Sequence, residues 1–434
     1  MFDEISDYKL LKVLKKRIGK NRDDVHLMRS TYCCGSKVLH GGNGYLPAVF
    51  VVTNKQTAKL WGVTTCKNAW MCPVCSGRKM SQYASEIAAA IDALKPRGQT
   101  ACMITLTIPH TRTMSCMEVT DILYATWKDF IVRGNKNLKT NDGCNHYDPF
   151  ASFCEELNCK HRVRVGEFTY GEHGWHPHFH CLFWVDTPKL QKVAEWQERL
   201  NERWLQLAKR KTIAEWNRSN PHKKADNRKR AEIMYSKMDT ESSKGFYVSV
   251  DERGRVIAQE SSMYVCGWGA DKELTGNFRN KATAEGHMTP YQMLEKYRDT
   301  GDESLLDLYM EFARAVRTKK RNRINFSVHS GLKQIIAQWK LTNAYTEVIK
   351  KKRTSLVSAV GKWRMVCWFT ESQWWSIYFL DKTEGIIAKI LEAAREIDGK
   401  KLITDMLLEY DIDIRNNGEH SHAALVDELL NDVA

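Results

Sequence analysis

Gly174-Trp175-His176-Pro177-His178-Phe179-His180-Cys181-Leu182-Phe183-Trp184-Val185 places an imidazole at every second position and then runs on as an apolar stretch. Side chains two apart on a β-strand share a face. His176, His178 and His180 therefore project from one side of a strand whose other side carries Phe179, Cys181 and Phe183. Imidazoles grouped on a sheet surface are the beginning of a metal site. The competing reading is a surface strand with histidines by chance, since the chain holds 14 of them. The neighbouring sequence decides between the two.

Arg162 to Tyr170 reads as a second strand, and Gly171-Glu172-His173-Gly174-Trp175 as a hairpin turn between the two. Pairing Tyr170 with Trp175 sets Glu167 opposite His178 and Val165 opposite His180. Two imidazoles and a carboxylate suit Mn²⁺ or Mg²⁺, with phosphate oxygens completing the shell. The alternative for Glu167 is an exposed carboxylate paired with Arg164. His176 shares the histidine face but lies toward the hairpin end, as a candidate to support a ligand or touch DNA.

Working outward, Ser76–Leu94 has a helical period through Met80, Tyr83, Ile87, Ile91 and Leu94, and Pro96 and Gly98 stop it. Cys102–Pro109 is a strand with Thr105 and Thr107 on one face. Met117–Phe130 is a helix, Asn135–Lys160 a polar loop, and Leu190–Ala208 a further helix. Phe246–Val250 and Arg255–Ala258 form a hairpin turning at Asp251-Glu252-Arg253-Gly254. A short helix starts near Glu260. The order β-α-β-β-α-β predicts an α+β protein, a split β-α-β core with a central antiparallel sheet and flanking helices. Residues 301–434 read as mostly helical.

At 434 residues the chain can bury a large core in two or three domains. Its 66 Lys+Arg against 52 Asp+Glu leave +14. From Asp381 to Ala434 there are 13 acidic and 6 basic residues, a net of −7, so residues 1–380 carry +21. A basic body suggests a polyanionic partner such as nucleic acid. No segment has the apolar length of a membrane span, and the acidic start Met1-Phe2-Asp3-Glu4 lacks a signal-peptide core. The expected location is cytoplasmic, where the 13 cysteines are free thiols or metal ligands rather than disulfides.

Cys72-Pro73-Val74-Cys75 is a Cys-x-x-Cys knuckle, with Cys66 six residues before it and Cys34 upstream. These four cysteines form a candidate tetrahedral Zn²⁺ site. A redox-active or incidental knuckle is the alternative.

Together the motifs resemble the HUH endonucleases, and within them the rolling-circle replication initiators (Rep proteins) of bacterial plasmids. His178-Phe179-His180 matches the His-hydrophobe-His signature. Thr105-Leu106-Thr107 followed by Pro109-His110 matches the first motif, and Gly174 to His180 the second, with Glu167 on the preceding strand. The resemblance runs from Cys34 to Lys333. It implies an N-terminal Cys-rich, zinc-binding region (1–98), an HUH nuclease domain (99–300) and a mostly helical C-terminal region (301–434).

The resemblance also implies a tyrosine nucleophile that keeps the cut strand end. Among 16 tyrosines, Tyr264 stands where that family carries it. The chain departs from the pattern at Gly267, where the family has lysine; Lys272 or Lys281 are candidate replacements. Tyr247 is the second candidate nucleophile, with a strand context that favours packing. Glu260, one helical turn before Tyr264, is placed to activate water as a replication round ends; the alternative is a carboxylate at a helix N-terminus.

The activity so implied is nicking of a plasmid origin, in a single-stranded or hairpin site. It leaves a 5′-phosphotyrosine link and a 3′-hydroxyl primer for host helicase and polymerase. The other readings are a mobilisation relaxase or single-tyrosine transposase, and a non-catalytic zinc-containing DNA-binding regulator.

Overall fold

The structure is a computed structural model and describes residues 4–38, 48–54, 57–68, 70–131, 148–237, 244–259, 286–317, 327–328, 330–341 and 364–417. Its first elements are α1 (Glu4–Gly19), α2 (Arg22–Tyr32), β1 (Ala48–Thr53), β2 (Ala58–Trp61), α3 (Pro73–Leu94) and β3 (Gln99–Leu106). Then come α4 (Cys116–Ile131), α5 (Pro149–Glu156), β4 (His161–Gly171), β5 (Gly174–Asp186), α6 (Lys192–Glu195), α7 (Gln197–Ser219) and α8 (Lys224–Ser236). They are followed by β6 (Phe246–Val248), β7 (Ala258–Gln259), α9 (Pro290–Thr300), α10 (Glu303–Arg317), β8 (Ser327–Val328) and α11 (Ser330–Leu341). The last are β9 (Arg364–Thr370), α12 (Glu371–Glu384), α13 (Ile386–Ala393) and α14 (Gly399–Leu408). This is a mixed α+β chain with two antiparallel sheets.

It forms two compact units: Met80–Thr342, and Met1–Lys79 joined with Asn343–Ala434. In the Met80–Thr342 unit the strand order is β6-β3-β5-β4-β8, with β7 also on β3, and every pairing is antiparallel. The long hairpin has the register expected from its turn: Tyr170 faces Trp175, Glu167 faces His178 and Val165 faces His180. Gly174 turns the chain at φ +89°, and a Cβ there would lie 2.9 Å from Arg112 Cα, so both backbone and packing demand glycine.

Alternation then sorts the side chains of β5. Phe179, Cys181, Phe183 and Val185 join a core with Trp127 and Phe130 of α4 and Leu200 and Trp204 of α7. Phe130 meets Trp204 edge to face at 5.3 Å. Each fully buried ring contributes roughly 1.5–3 kcal/mol, which anchors the strand by this face. The imidazoles are left on the other.

Some local expectations differ from the structure. The polar stretch Asn135–Lys160 contains helix α5, started by Pro149 and by the Asp148 carboxylate accepting from the Phe150 amide. The helix expected at Leu190–Ala208 is split into α6 and α7 and runs on to Ser219. The hairpin after Phe246 turns where expected, with the Val250–Val256 bridge flanked by Asp251 N–H to the Arg255 carbonyl and Ile257 N–H to the Ser249 carbonyl, but its outer arms pair with β3 rather than with each other.

The other unit is built on the sheet β2-β1-β9, again antiparallel. Arg364–Thr370, expected to be helical, is a strand that pairs along the whole of β1. Thr370 ends it and starts α12 with a capping box: its hydroxyl accepts from the Gln373 amide, and the Gln373 side chain accepts from the Thr370 amide. Val49, Val51, Leu60, Phe369, Trp374 and Ile390 form one core. In this unit the chain's two ends share a sheet, and the division near Lys79 falls within α3. Among the described residues no helix is long and apolar enough to cross a membrane.

Candidate metal centres

Glu167, His178 and His180 bring one ligand atom each to within 4.8 Å of one another. His178 Nε2 lies 2.5 Å and His180 Nε2 2.8 Å from the same Glu167 oxygen, and the two nitrogens are 3.1 Å apart. The strands explain the convergence. Cross-strand pairing sets Glu167 beside His178, and period two adds His180 on the same face. Burial by itself would raise the Glu167 carboxyl; the hydrogen bonds and charges of both imidazoles outweigh it and hold the group well below the usual carboxylate range. The alternative pairing with Arg164 does not occur. Three positions along a strand reverse the face, and the Arg164 guanidinium lies 4.5 Å from the Phe179 ring and 5.2 Å from that of Trp127.

Thr105 completes this centre in a way the sequence did not show. It faces His180 across β3 and β5, and its hydroxyl is 3.1 Å from His180 Nδ1. With Nε2 turned to the ligand group, Nδ1–H donates to the hydroxyl, which fixes ring and tautomer together. The donor set fits a divalent ion: two imidazole nitrogens and a carboxylate oxygen from rigid strands, with no fourth protein ligand among the described residues.

His176 continues the row. Its Nδ1 is 2.7 Å from His110 Nε2, and His110 Nδ1 is 3.2 Å from the His173 carbonyl. The carbonyl only accepts, so His110 donates from Nδ1 and, being neutral, accepts from His176 at Nε2. Burial lowers the pKa of both rings and keeps the chain of protons in this sense. The sequence signal for His110 was its place directly after Pro109.

Tyr247 faces Thr105 from β6, so it shares the triad's side of the sheet. Its ring is 45% exposed rather than packed, against the expectation for this strand. Tyr264, Glu260, Gly267, Lys272 and Lys281 lie outside the described residues.

The four cysteines also converge: Cys34, Cys66, Cys72 and Cys75 have their sulfurs within 4.8 Å of one another. Cys34–Cys75 is 3.5 Å and Cys66–Cys75 3.4 Å. A tetrahedral ion about 2.3 Å from each sulfur sets sulfurs about 3.8 Å apart, so the cluster matches a Cys₄ site. Hydrogen bonds from neighbouring thiols push Cys75 and Cys34 down, whereas burial and the same neighbours push Cys72 up. Cys72 immediately precedes α3, whose N-terminal dipole favours thiolate. Both ends of the chain prop the cluster: Trp374 Nε1 donates to the Gly35 carbonyl at 3.0 Å, and buried Lys15 of α1 donates to the Cys34 carbonyl at 2.8 Å.

The chain is similar in part to two curated proteins. One is a neomycin resistance protein of Streptomyces cyanogenus, 26% identical over 184 residues, 35% of this chain and 41% of the relative. The other is "Protein rep" of Streptomyces lividans, 28% identical over 143 residues, 30% of this chain and 31% of that protein. The chain thus spans less than half the length of either. No family model matches it, and no solved structure does.

Proposed function

We propose that this chain initiates rolling-circle plasmid DNA replication by nicking one strand of the origin. The observation that carries the reading is the Glu167–His178–His180 group, held on one sheet face with no fourth protein ligand among the described residues. The partial likeness to "Protein rep" supports DNA as the partner. The sequence resemblance to HUH initiators supports a tyrosine nucleophile.

Tyr264 Oη attacks phosphorus at the nick site and forms a 5′-phosphotyrosine bond. The phosphorus–O3′ bond breaks, and the leaving oxygen takes a proton to become the 3′-hydroxyl that primes host polymerase behind a host helicase. Glu260 activates water when the covalent link is finally resolved. His178, His180 and Glu167 would hold Mn²⁺ or Mg²⁺, which when bound supplies charge to the scissile phosphate. Thr105 keeps the His180 ring oriented, and burial favours the neutral form of His176 and His110 in their hydrogen-bonded chain. Cys34, Cys66, Cys72 and Cys75 would hold a structural Zn²⁺.

The test is incubation of purified protein with single-stranded origin DNA and Mn²⁺. A covalent adduct is expected, and its loss in Tyr264→Phe. An unchanged adduct in that variant moves the nucleophile elsewhere, first to Tyr247. No adduct from the wild type with any divalent ion leaves a zinc-containing DNA-binding regulator as the better account.

A further inference from the structure

Beside the triad lies a cavity of about 800 Å³, lined by residues 107–111, the hairpin turn, α8 and His287. It opens next to the metal group, since His176 lines it and stands two residues from His178. Its lining divides by chemistry. Ile108, Ile233 and Met234 supply apolar surface, and Ile233 is 52% exposed. Arg230, Lys237 and Lys244 supply positive charge, and among the described residues no carboxylate lines the space. Lys244 does pair with Glu198, outside the lining. Arg230 is braced, 4.6 Å over the Trp216 ring and 3.2 Å from Thr113 Oγ1. Thr107 Oγ1, on the lining, is buried without a hydrogen-bond partner among the described residues.

An inorganic phosphate would need the cations and leave the apolar wall idle. A hydrophobic ligand would make no use of Arg230 and Lys237, which have no carboxylate on the lining among the described residues. A nucleotide uses both, with its phosphate on the cations and its base against the apolar and imidazole walls. A base inside a duplex is stacked and paired, and cannot enter a concave site without leaving the helix.

We propose that this cavity receives the nucleotide flanking the scissile phosphate, unstacked from a single strand. The proposal rests on the nickase reading for its location at a cut. It adds a binding site on α8 that selects single-stranded over duplex DNA.

The test needs no origin sequence. Binding of the full chain to fluorescein-labelled dT12, and to a twelve-unit strand of abasic residues, is measured by anisotropy without divalent metal. Wild type is expected to bind dT12 about tenfold more tightly than the abasic strand, in line with base stacking in other single-strand sites. Ile233→Glu should erase that preference. Lys237→Glu should weaken both ligands alike and keep it. Both residues lie at the surface, so thermal melting should be unchanged.

A preference that survives Ile233→Glu overturns the proposal, as does a wild type with no preference or no binding. The nickase reading is scored separately by adduct formation. An adduct with the preference intact in Ile233→Glu sinks the cavity alone. A preference erased by Ile233→Glu without any adduct sinks the nickase and leaves the cavity standing.

Discussion

The two candidate metal centres are made in opposite ways. Glu167, His178 and His180 come from one hairpin, at most 13 residues apart, and all three are partly exposed. Cys34, Cys66, Cys72 and Cys75 come from three segments, 41 residues apart at the extremes, and three of the four are buried. Four sulfurs close a tetrahedron, whereas three ligands leave positions for another molecule. The contrast fits the roles proposed for the two centres. A centre that must meet a substrate is carried on rigid strands at a surface. A centre that must hold the chain together is enclosed by the parts it joins.

The largest expected effect comes from opening the closed centre. Zinc in such sites contributes on the order of 10 kcal/mol to folding. Cys72→Ser should lose one equivalent of zinc by elemental analysis and abolish cooperative melting of the unit formed by the chain's two ends. Wild-type protein that contains no zinc and melts as sharply with a chelator present would break the comparison.

Glu167→Ala comes next. It should lower adduct formation at least about 100-fold, since it removes a ligand rather than a supporting group. Melting should stay cooperative, because the core on the other face of β5 is untouched. A variant that unfolds instead would make this centre structural too, and the contrast would disappear.

Thr105→Val sharpens the point by sparing every ligand. Loss of the bond to His180 Nδ1 should weaken activation by Mn²⁺ about tenfold, read from a metal titration of adduct yield. Equal yields at every metal concentration would show that the hydroxyl does not orient the ring. The smallest effect is expected from Tyr247→Phe, which should leave both the adduct and melting within about 0.5 kcal/mol of wild type. Abolished adduct would transfer the nucleophile from Tyr264 to a strand tyrosine on the triad's own face.

The open centre was legible because it is local. A two-residue turn fixes the register of the hairpin, and period two fixes the face, so Glu167 opposite His178 follows from the order of residues alone. The Cys-x-x-Cys knuckle was legible for the same reason, whereas Cys34 and Cys66 stood only as more distant candidates upstream. Thr105 was visible as part of a motif but not as the partner of His180, because β3 and β5 are separated by two helices and a further strand. The exposure of Tyr247 was not visible either. Alternation tells which face a side chain takes, but not whether anything covers it.

Helix and strand positions in the middle of the chain, the hairpin register and the ligand types were thus set by neighbours within a few residues, where backbone geometry leaves few choices. The pairing of Arg364–Thr370 with Ala48–Thr53 was decided only in three dimensions. Those seven residues can extend as a strand only because β1 offers them a hydrogen-bonding edge, and their own sequence carries no record of a partner about 300 positions away. The same holds for Trp374 and Gly35, whose bond helps enclose the cysteines. Long-range contacts of this kind depend on which surfaces the folded elements bring together, and that is a property of the packed core rather than of any one segment.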